Sequence, residues 1–159
     1  PCQDNVALLI GKTSGHLGQS AILAEVFNLQ EGSPPFVDLV AEKTNGDFIR
    51  QNSSWIRACT DLSDGGLALA VFKMCEAAGI GVSLKIEDTA ILFGEDQARY
   101  LIACDFDQAE AILAAAGTLA IPAECVGTFG GEHVCFGNSM SDLKGLSKIY
   151  RNSFEAAIT

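Results

Sequence analysis

The octet Thr60-Asp61-Leu62-Ser63-Asp64-Gly65-Gly66-Leu67 is the stretch that decides how this chain is expected to fold. The largely apolar run from Trp55 to Thr60 that leads into it predicts a buried strand. After it, apolar residues recur at helical spacing at positions 67, 70, 71, 74 and 78. The octet is therefore predicted to be the turn from a strand into a helix.

Two interpretations of this turn remain open. In one, the unpaired backbone N–H groups of Gly65, Gly66 and Leu67 hold a phosphate oxygen, and Asp61 and Asp64 hold the accompanying Mg²⁺. In the other, the turn is structural, with the Asp64 side chain as the helix N-cap and the glycine pair as a tight bend. Spacing alone does not separate a ligand site from a capped helix.

The elements on either side of the octet alternate between strands and helices. The apolar and alternating runs predict strands at 6–10, 55–60, 81–86, 100–104, 124–129 and 133–136. Helices are predicted at 20–28, 36–51 and 66–78, from a capping box at Asp107 and Glu110 to a stop at Gly117, and from about Ser141 to Ile158. Gly79 is expected to end the octet's helix, and Gly130-Gly131 to form a hairpin turn. The pattern predicts an α/β fold in which helices cover a mixed sheet.

Length and composition indicate one domain that buries its own core. The 159 residues are 48% hydrophobic and 19% charged, with a net charge of −10. Only 10 Lys and Arg residues are present, which argues against nucleic acid as a partner. We expect no membrane span and no signal peptide. Because the chain begins at Pro1, residues 1–159 are interpreted as one domain excised from a larger protein.

The six cysteines are widely spaced and form no Cys-x-x-Cys pair. Several lie inside apolar runs, which is typical of buried thiols in a reducing cytoplasm. Neither His16 nor His133 has a partner at ligand spacing, so no zinc site is expected. The sequence predicts a cytoplasmic protein without disulfide bonds.

Two glycine-containing segments near the first strand are interpreted as structural. Gly11-Lys12-Thr13 resembles the end of a P-loop, but the preceding apolar residues cannot wrap a phosphate. The spacing of Gly15 and Gly18 would permit a small anion nest, although a turn that lets a helix pack closely is the simpler explanation.

A second cluster of polar side chains precedes the strand at 100–104. Glu95, Asp96, Gln97 and Arg99 bring acceptors, a donor and a cation together within the segment from Phe93 to Tyr100. Such a cluster suits a hydroxylated, phosphorylated ligand, whereas a solvated loop is the alternative.

The octet and the segment 92–100 together resemble the synthetase subunit of phosphoribosylformylglycinamidine synthase, the PurL-type family of purine biosynthesis. The segments at 15–20, 34–39 and 45–48 are similar to the opening of that family's C-terminal lobe, so the resemblance covers nearly the whole chain. Relatives of the same architecture include aminoimidazole ribonucleotide synthetase and thiamine monophosphate kinase. The implied fold is that of the aminoimidazole ribonucleotide synthetase C-terminal domain.

The resemblance also implies a reaction and a set of ligands. The family uses ATP and Mg²⁺ to convert formylglycinamide ribonucleotide and ammonia to the amidine, with ammonia supplied by a glutaminase subunit and a small bridging subunit in the complex. The implied nucleotide or substrate contacts are Asp61, Gly65, Gly66, Glu95, Gln97 and Arg99, and Asp61 is the implied metal ligand. No residue of this chain is assigned a catalytic role.

Departures from the family pattern indicate which lobe this is. Glu95 and Gln97 match the first and third residues of the Glu-Ser-Gln triplet that contacts substrate in the family's first C-terminal lobe, but Asp96 replaces the serine. The substrate-contacting glutamine is also absent, and Pro35 falls near its position. The chain is therefore interpreted as the second C-terminal lobe, next to a largely structural nucleotide site.

Three functional readings follow from the resemblance. The chain is a domain of the ligase, a non-catalytic lobe that holds nucleotide or completes an interface, or a domain of another member such as thiamine monophosphate kinase. Its neighbours would be the other lobes of the same polypeptide. The isolated domain is expected to lack ligase activity and to self-associate, for example as a homodimer, through an apolar face that those lobes would cover.

Overall fold

The computed structural model describes the backbone of residues 1–158 and the side chains of residues 1–153. Its single sheet has the strand order β2-β4-β1-β5-β3-β6-β7. The strands are β1 (Val6–Ile10), β2 (Ile56–Asp61), β3 (Val82–Leu84), β4 (Tyr100–Cys104), β5 (Ala123–Phe129), β6 (His133–Phe136) and β7 (Ser139–Asp142). Neighbours are antiparallel except for the β3–β6 pair, which is parallel. The predicted mixed α/β sheet is confirmed.

Six α-helices and one short 3₁₀-helix accompany the sheet in the described chain. They are α1 (Ala21–Phe27), α2 (Leu39–Gln51), α3 (Gly66–Ala78), α4 (Thr89–Phe93), α5 (Phe106–Thr118) and α6 (Leu143–Ile158), with the 3₁₀-helix at Ser53–Trp55. Of these, α4 and the 3₁₀-helix were not predicted. None of the described helices combines the length and apolar character needed to cross a membrane.

Helices cover both faces of the sheet because the central strand β1 is apolar on both sides. Ala7 and Leu9 pack with Leu67 and Val71 of α3 in one core cluster. Val6, Leu8 and Ile10 pack in a second cluster with Phe48 of α2 and Ile112 of α5. A strand that is buried on both faces has a continuous run of apolar residues. This run predicted the strand at residues 6–10.

Two of the predicted helices begin or end at residues other than those predicted. The helix predicted from Phe36 begins at Leu39, because the Asp38 carboxylate accepts hydrogen bonds from Val40 N at 2.9 Å and Ala41 N at 3.1 Å. The helix predicted from a capping box at Asp107 has its N-cap at Asp105 and continues past Gly117 to Thr118. Gly79 ends α3 in a left-handed conformation, as predicted.

The predicted hairpin at Gly130-Gly131 is wrong, because β3 lies between β5 and β6. The backbone of Gly81 donates to Gly131 O and accepts from Gly130 N, both at 2.8 Å. A Cβ on Gly81 would lie 2.0 Å from His133 O, so only glycine permits this approach. The two glycines therefore carry the chain around the end of a third strand.

The last helix begins at Leu143 instead of near Ser141, because residues 139–142 form the edge strand β7. The Phe72 and Tyr150 rings pack edge to face, with centroids 5.4 Å apart, and join α6 to α3. The predicted helix extends to Ile158, and the side chains of Phe154 and Ile158 lie outside the described part of the chain.

Candidate functional site

The octet forms the predicted strand-to-helix turn, with Asp61 as the last residue of β2 and Gly65 as the N-cap of α3. Gly65 and Gly66 both have positive φ, 77° and 59°. A Cβ on Gly66 would lie 2.5 Å from Gly94 O. The glycine pair is therefore required for α3 to begin against the backbone of residues 92–94.

Two of the three helix amides predicted to hold a phosphate, those of Gly65 and Gly66, are hydrogen-bonded within the chain. Gly65 N donates to Glu95 Oε1 at 2.9 Å, and Gly66 N donates to Ser63 O at 2.9 Å. The structure thus places a carboxylate of the protein at the positive end of the α3 dipole. Glu95, predicted as a ligand contact, occupies the position that we had predicted for an anion.

The predicted N-cap role of Asp64 is wrong. The N-cap is Gly65, which precedes the helix in a left-handed conformation, and no side chain caps α3 from that position. Asp64 is exposed, and its own backbone N–H donates to Ser63 Oγ at 2.6 Å. The acceptor at this helix end is the Glu95 carboxylate, which the backbone N–H of Gly65 contacts.

The Glu95 carboxylate joins two helices. The same Oε1 atom that accepts from Gly65 N also accepts from Ala21 N, the first residue of α1, at 2.8 Å. These bonds connect segments 74 and 30 residues away in sequence. No local pattern in the sequence indicates either partner.

The Asp96 carboxylate likewise accepts hydrogen bonds from backbone N–H groups, here in the glycine loop after β1 that contains Gly15 and Gly18. Its Oδ2 atom accepts from Ser14 N and Gly15 N, both at 2.9 Å. Successive N–H groups that converge on one oxygen form an anion nest. The nest at Gly15 is thus occupied by a side chain of the protein, in keeping with the structural interpretation of this loop.

Arg99 is 1% exposed and its guanidinium bonds inside the chain. It donates to Gly94 O at 2.5 Å, to Asp96 O at 3.0 Å and to Thr13 Oγ1 at 3.4 Å. Burial lowers the pKa of the guanidinium, and the charges of Asp96 and Glu95 oppose that shift. Arg99 therefore holds the 94–96 turn together, and this geometry gives no support to its predicted ligand contact.

Gln97 lines a cleft of about 410 Å³ between the glycine loop and the start of α2. Lys12, His16 and Phe36 also line this cleft. The Gln97 Nε2 atom donates to Glu95 O at 3.3 Å. The cleft offers a cation, an amide and an aromatic ring to a ligand, and neither Asp61 nor Arg99 is among its lining residues.

Two residues of α2 that we did not predict shape this cleft. Ala98 N donates to Glu42 Oε1 and the buried Asn45 Nδ2 donates to Ala98 O, both at 2.8 Å. These bonds hold Ala98 at φ 59°, which is unusual for a residue with a Cβ. Backbone strain of this kind clusters at functional sites. The sequence feature that could have indicated this contact is Asn45, a polar residue on the buried side of a helix.

Asp61 lies at an adjacent edge of the sheet, paired across the strands with Tyr100. Its side chain is exposed, and no hydrogen bond to its carboxylate is found among the described residues. Burial, followed by the charges of Glu42, Cys59 and Asp61, raises the pKa of the Tyr100 hydroxyl. The carboxylate is thus available to a cation, while the phenol beside it stays protonated at neutral pH.

The part of the chain that the structure describes contains no group of three or more His, Cys, Asp or Glu residues that could hold a metal ion. Asp61 alone would be one oxygen ligand. Mg²⁺ commonly takes one or two carboxylates and completes its octahedron with water and phosphate oxygens. A Mg²⁺ ion that arrives with a nucleotide fits this donor, whereas a metal held by protein ligands alone does not.

The fold and these residues define a class of domain. The family described as "AIR synthase related protein, C-terminal domain" matches residues 3–136, and the chain belongs to that family. It is 60% identical over 154 residues to phosphoribosylformylglycinamidine synthase subunit PurL of Roseobacter denitrificans. That match covers 97% of this chain and 21% of the relative, so the chain spans about a fifth of the relative's length.

Solved structures share the fold at low sequence identity. PurL of Thermotoga maritima complexed with FGAR matches with a TM-score of 0.76 and 19% identity, over 92% of this chain and 28% of that chain. Thiamine-monophosphate kinase from Stenotrophomonas maltophilia matches with a TM-score of 0.58 and 15% identity, over 88% of this chain and 52% of that chain. The resemblance to the PurL-type family is confirmed, and the kinase shares the fold alone.

Proposed function

We propose that this chain is one lobe of a cytoplasmic phosphoribosylformylglycinamidine synthase, the ATP-dependent ligase that converts formylglycinamide ribonucleotide and ammonia to the amidine in purine biosynthesis. The observation that carries the proposal is the 60% identity to a PurL subunit over 97% of this chain. Ammonia would come from a glutaminase subunit, with a small bridging subunit in the complex.

Within that enzyme, we assign this lobe a nucleotide-holding role instead of a substrate-contacting one. Glu95 and Asp96 are committed to backbone N–H groups, and Arg99 is buried. The side chains that remain open to a ligand are Asp61 and Gln97. This division supports the interpretation as the last C-terminal lobe, which contributes to a second nucleotide site and carries no catalytic residue.

In the ligase, ATP with Mg²⁺ bound at the catalytic site would supply the phosphoryl group that makes the formyl oxygen a leaving group, whereas the nucleotide at the second site would not react. Asp61 would provide one oxygen to the Mg²⁺ that accompanies ATP or ADP. The Gln97 amide and the Lys12 ammonium would contact the polar part of the nucleotide from the neighbouring cleft. The Gly65 and Gly66 backbone would keep the Asp61 edge in place by fixing the start of α3.

The test uses the full-length polypeptide and compares Asp61→Asn with Asp64→Asn. Asp64 is the matched control, because it is an exposed carboxylate in the same turn. We expect Asp61→Asn to weaken Mg-ADP binding at one site by at least about tenfold, measured by calorimetric titration. Loss of a residue that only supports a metal ligand lowers metal affinity by about 10- to 100-fold, and loss of the ligand itself should cost at least as much. Asp64→Asn should leave the affinity unchanged.

Turnover of formylglycinamide ribonucleotide with ammonia, measured on the same variants, separates the two sites. Weaker Mg-ADP binding with normal turnover would place Asp61 at a second, structural nucleotide site, as we propose. A parallel loss of turnover would place it in the catalytic pocket and contradict the nucleotide-holding role. Equal affinities of both variants and the parent protein would contradict any ligand role of Asp61. The isolated chain should show no turnover.

A further inference from the structure

A single alanine in the left-handed backbone conformation lies between the two side chains that remain open to a ligand. Ala98 has φ 59°, which few residues with a Cβ adopt. Gln97, which lines the cleft, precedes it, and Tyr100, the strand partner of Asp61, lies two residues after it. The backbone at Ala98 therefore sets how Gln97 is oriented relative to Asp61.

Two side chains of α2 hold the peptide groups on either side of the Ala98 Cα atom. The N–H of Ala98, which belongs to the peptide bond after Gln97, donates to Glu42 Oε1 at 2.8 Å. The carbonyl of Ala98, which belongs to the next peptide bond, accepts from Asn45 Nδ2 at 2.8 Å. Because each peptide group is planar, fixing both of them fixes φ and ψ between them. We call Glu42 and Asn45 the α2 clamp.

Helix α2 also lies close to Tyr100, the strand partner of Asp61. A Cβ on Gly46 would lie 3.3 Å from the Tyr100 hydroxyl oxygen, so this glycine lets the phenol approach the helix. Burial, followed by the charge of Glu42, raises the pKa of that hydroxyl. One helix therefore contacts the backbone next to Gln97 and the side chain next to Asp61.

The residue type at position 98 explains why a clamp is needed. Glycine would adopt a positive φ without steric cost, but it would leave the turn free to change conformation. Alanine is strained there, and such strain persists only where the surrounding structure holds it. A contact that is fixed before binding loses little freedom when the ligand arrives, which favours affinity.

We propose that Glu42 is a positioning residue of the nucleotide site. Through the Ala98 N–H it holds Gln97 in the orientation that meets the polar part of a nucleotide while Asp61 contacts its Mg²⁺. Glu42 acts without touching the ligand, since its Oε1 atom is bonded to Ala98 N and it is not among the residues that line the cleft. This role rests on the proposed function, in which the lobe holds a nucleotide.

The test compares variants of the full-length polypeptide by calorimetric titration with Mg-ADP, under conditions in which melts show each variant to be folded. Glu42→Ala removes the acceptor of the Ala98 N–H, whereas Glu42→Gln keeps an oxygen there without the charge. Asp47→Ala is the matched control, because it removes a carboxylate of the same helix whose partners, Lys43 and Arg50, belong to α2 itself. Glu42→Met, which also lacks an acceptor oxygen, replaces Glu42→Ala if that variant fails to fold.

We expect Glu42→Ala to weaken Mg-ADP binding at one site by about tenfold, the effect expected from loss of one hydrogen bond to a charged group. Glu42→Gln should stay within about threefold of the parent protein, because the neutral hydrogen bond remains. Asp47→Ala should leave the affinity unchanged. Adding Ala98→Gly to Glu42→Ala should improve the affinity by at least about threefold, because glycine keeps the positive φ accessible without the clamp. A residue that only stabilised the fold would not alter the affinity of folded protein.

Normal Mg-ADP affinity in Glu42→Ala would overturn the proposal. An equal loss in Glu42→Gln and Glu42→Ala would also overturn it, because the charge of the carboxylate would then act on the ligand directly. Failure of Ala98→Gly to improve the affinity would show that the Ala98 backbone is not the link.

Asp61→Asn, titrated alongside, tests the proposed function separately. Weaker binding in Asp61→Asn with normal binding in Glu42→Ala would overturn the positioning role and leave the nucleotide-holding role supported. Weaker binding in Glu42→Ala with normal binding in Asp61→Asn would support the positioning role and contradict the metal-ligand role of Asp61. Absence of Mg-ADP binding in the parent protein would contradict both.

Discussion

The Glu95 carboxylate accepts a hydrogen bond from the backbone N–H of Gly65 at 2.9 Å, at the N-terminus of α3. This contact brings the two motifs of the sequence, the octet and the 92–100 segment, into a single structural unit. A negative group at this end of a helix is favourable because the first N–H groups of the helix are unpaired and the dipole is positive there. The same oxygen accepts from Ala21 N, so one carboxylate fixes the start of two helices.

Replacing Glu95 by Gln should destabilise the domain. The substitution keeps the shape but removes the charge from two hydrogen bonds, so we expect the free energy of unfolding to fall by about 1 to 2 kcal/mol. Urea titration of the chain measures this. Asp64→Asn is the matched control and should change the free energy by less than about 0.5 kcal/mol. A loss of about 1 kcal/mol for Asp64→Ala, which removes the side-chain acceptor, would show that Asp64 caps the helix after all.

Arg99→Lys should also destabilise the domain, although it keeps the positive charge. Lysine lacks the planar fork that reaches Gly94 O, Asp96 O and Thr13 Oγ1 together, so buried acceptors would lose their donor. We expect a loss of about 2 kcal/mol in the free energy of unfolding. Arg50→Lys, at an exposed ion pair with Asp47, should cost less than about 0.5 kcal/mol. Equal effects of the two substitutions would contradict a positioning role for Arg99.

The Arg57–Asp105 pair should make stability depend on acid pH. Hydrogen bonds from Arg57, then the Arg57 charge and Asn5, lower the pKa of the Asp105 carboxyl below its usual value of 3.8. Because the unfolded chain then takes up this proton more readily, the stabilisation is complete above the usual value and is lost as the pH falls towards the folded one. The advantage of the parent chain over Asp105→Asn should be constant above about pH 5 and shrink below about pH 4.

Arg57→Gln provides the control for this pH dependence. In that background, Asp105→Asn should change the acid limb of the stability curve much less, because the cation is gone and only the hydrogen bond from Asn5 still lowers the pKa of the carboxyl. Urea titrations at several pH values measure the four chains. A difference that shrinks as strongly without Arg57 as with it would assign the effect to another group.

The buried thiols should react slowly. Burial raises the pKa of Cys75 to about 12 and that of Cys104 to about 11, whereas Cys2 and Cys125 are exposed. Since the thiolate is the nucleophile, at pH 8 the thiols of Cys75 and Cys104 would hold on the order of a thousandth or less of that form. Maleimide labelling resolved by peptide mass spectrometry should therefore modify Cys2 and Cys125 well before Cys75 and Cys104. Labelling of Cys104 as fast as Cys125 would contradict this burial.

Most strands and long helices could be predicted because their signals are local. The apolar run at 6–10 and the helical spacing after the octet each reflect burial of one short segment, and both elements form as predicted. The short elements at 89–93 and 139–142 were missed, because five or four residues carry no clear period. The hairpin predicted at Gly130-Gly131 does not form because β3 pairs there with β5. Ser83 of β3 lies 45 residues before its partner Thr128 in the chain.

The sequence by itself determined the class of fold, the strand-to-helix turn at the octet and the family resemblance, because each rests on residue types at fixed short spacings. Only the tertiary structure decided which polar groups are free. Glu95, Asp96 and Arg99 have the chemistry of ligand contacts, yet each bonds to backbone groups or side chains of the domain itself. Their partners Gly15, Ala21 and Gly65 lie 81, 74 and 30 residues away in sequence and come near only in the folded chain. A hydrogen bond depends on distance in space, and sequence spacing does not give that distance for residues many positions apart.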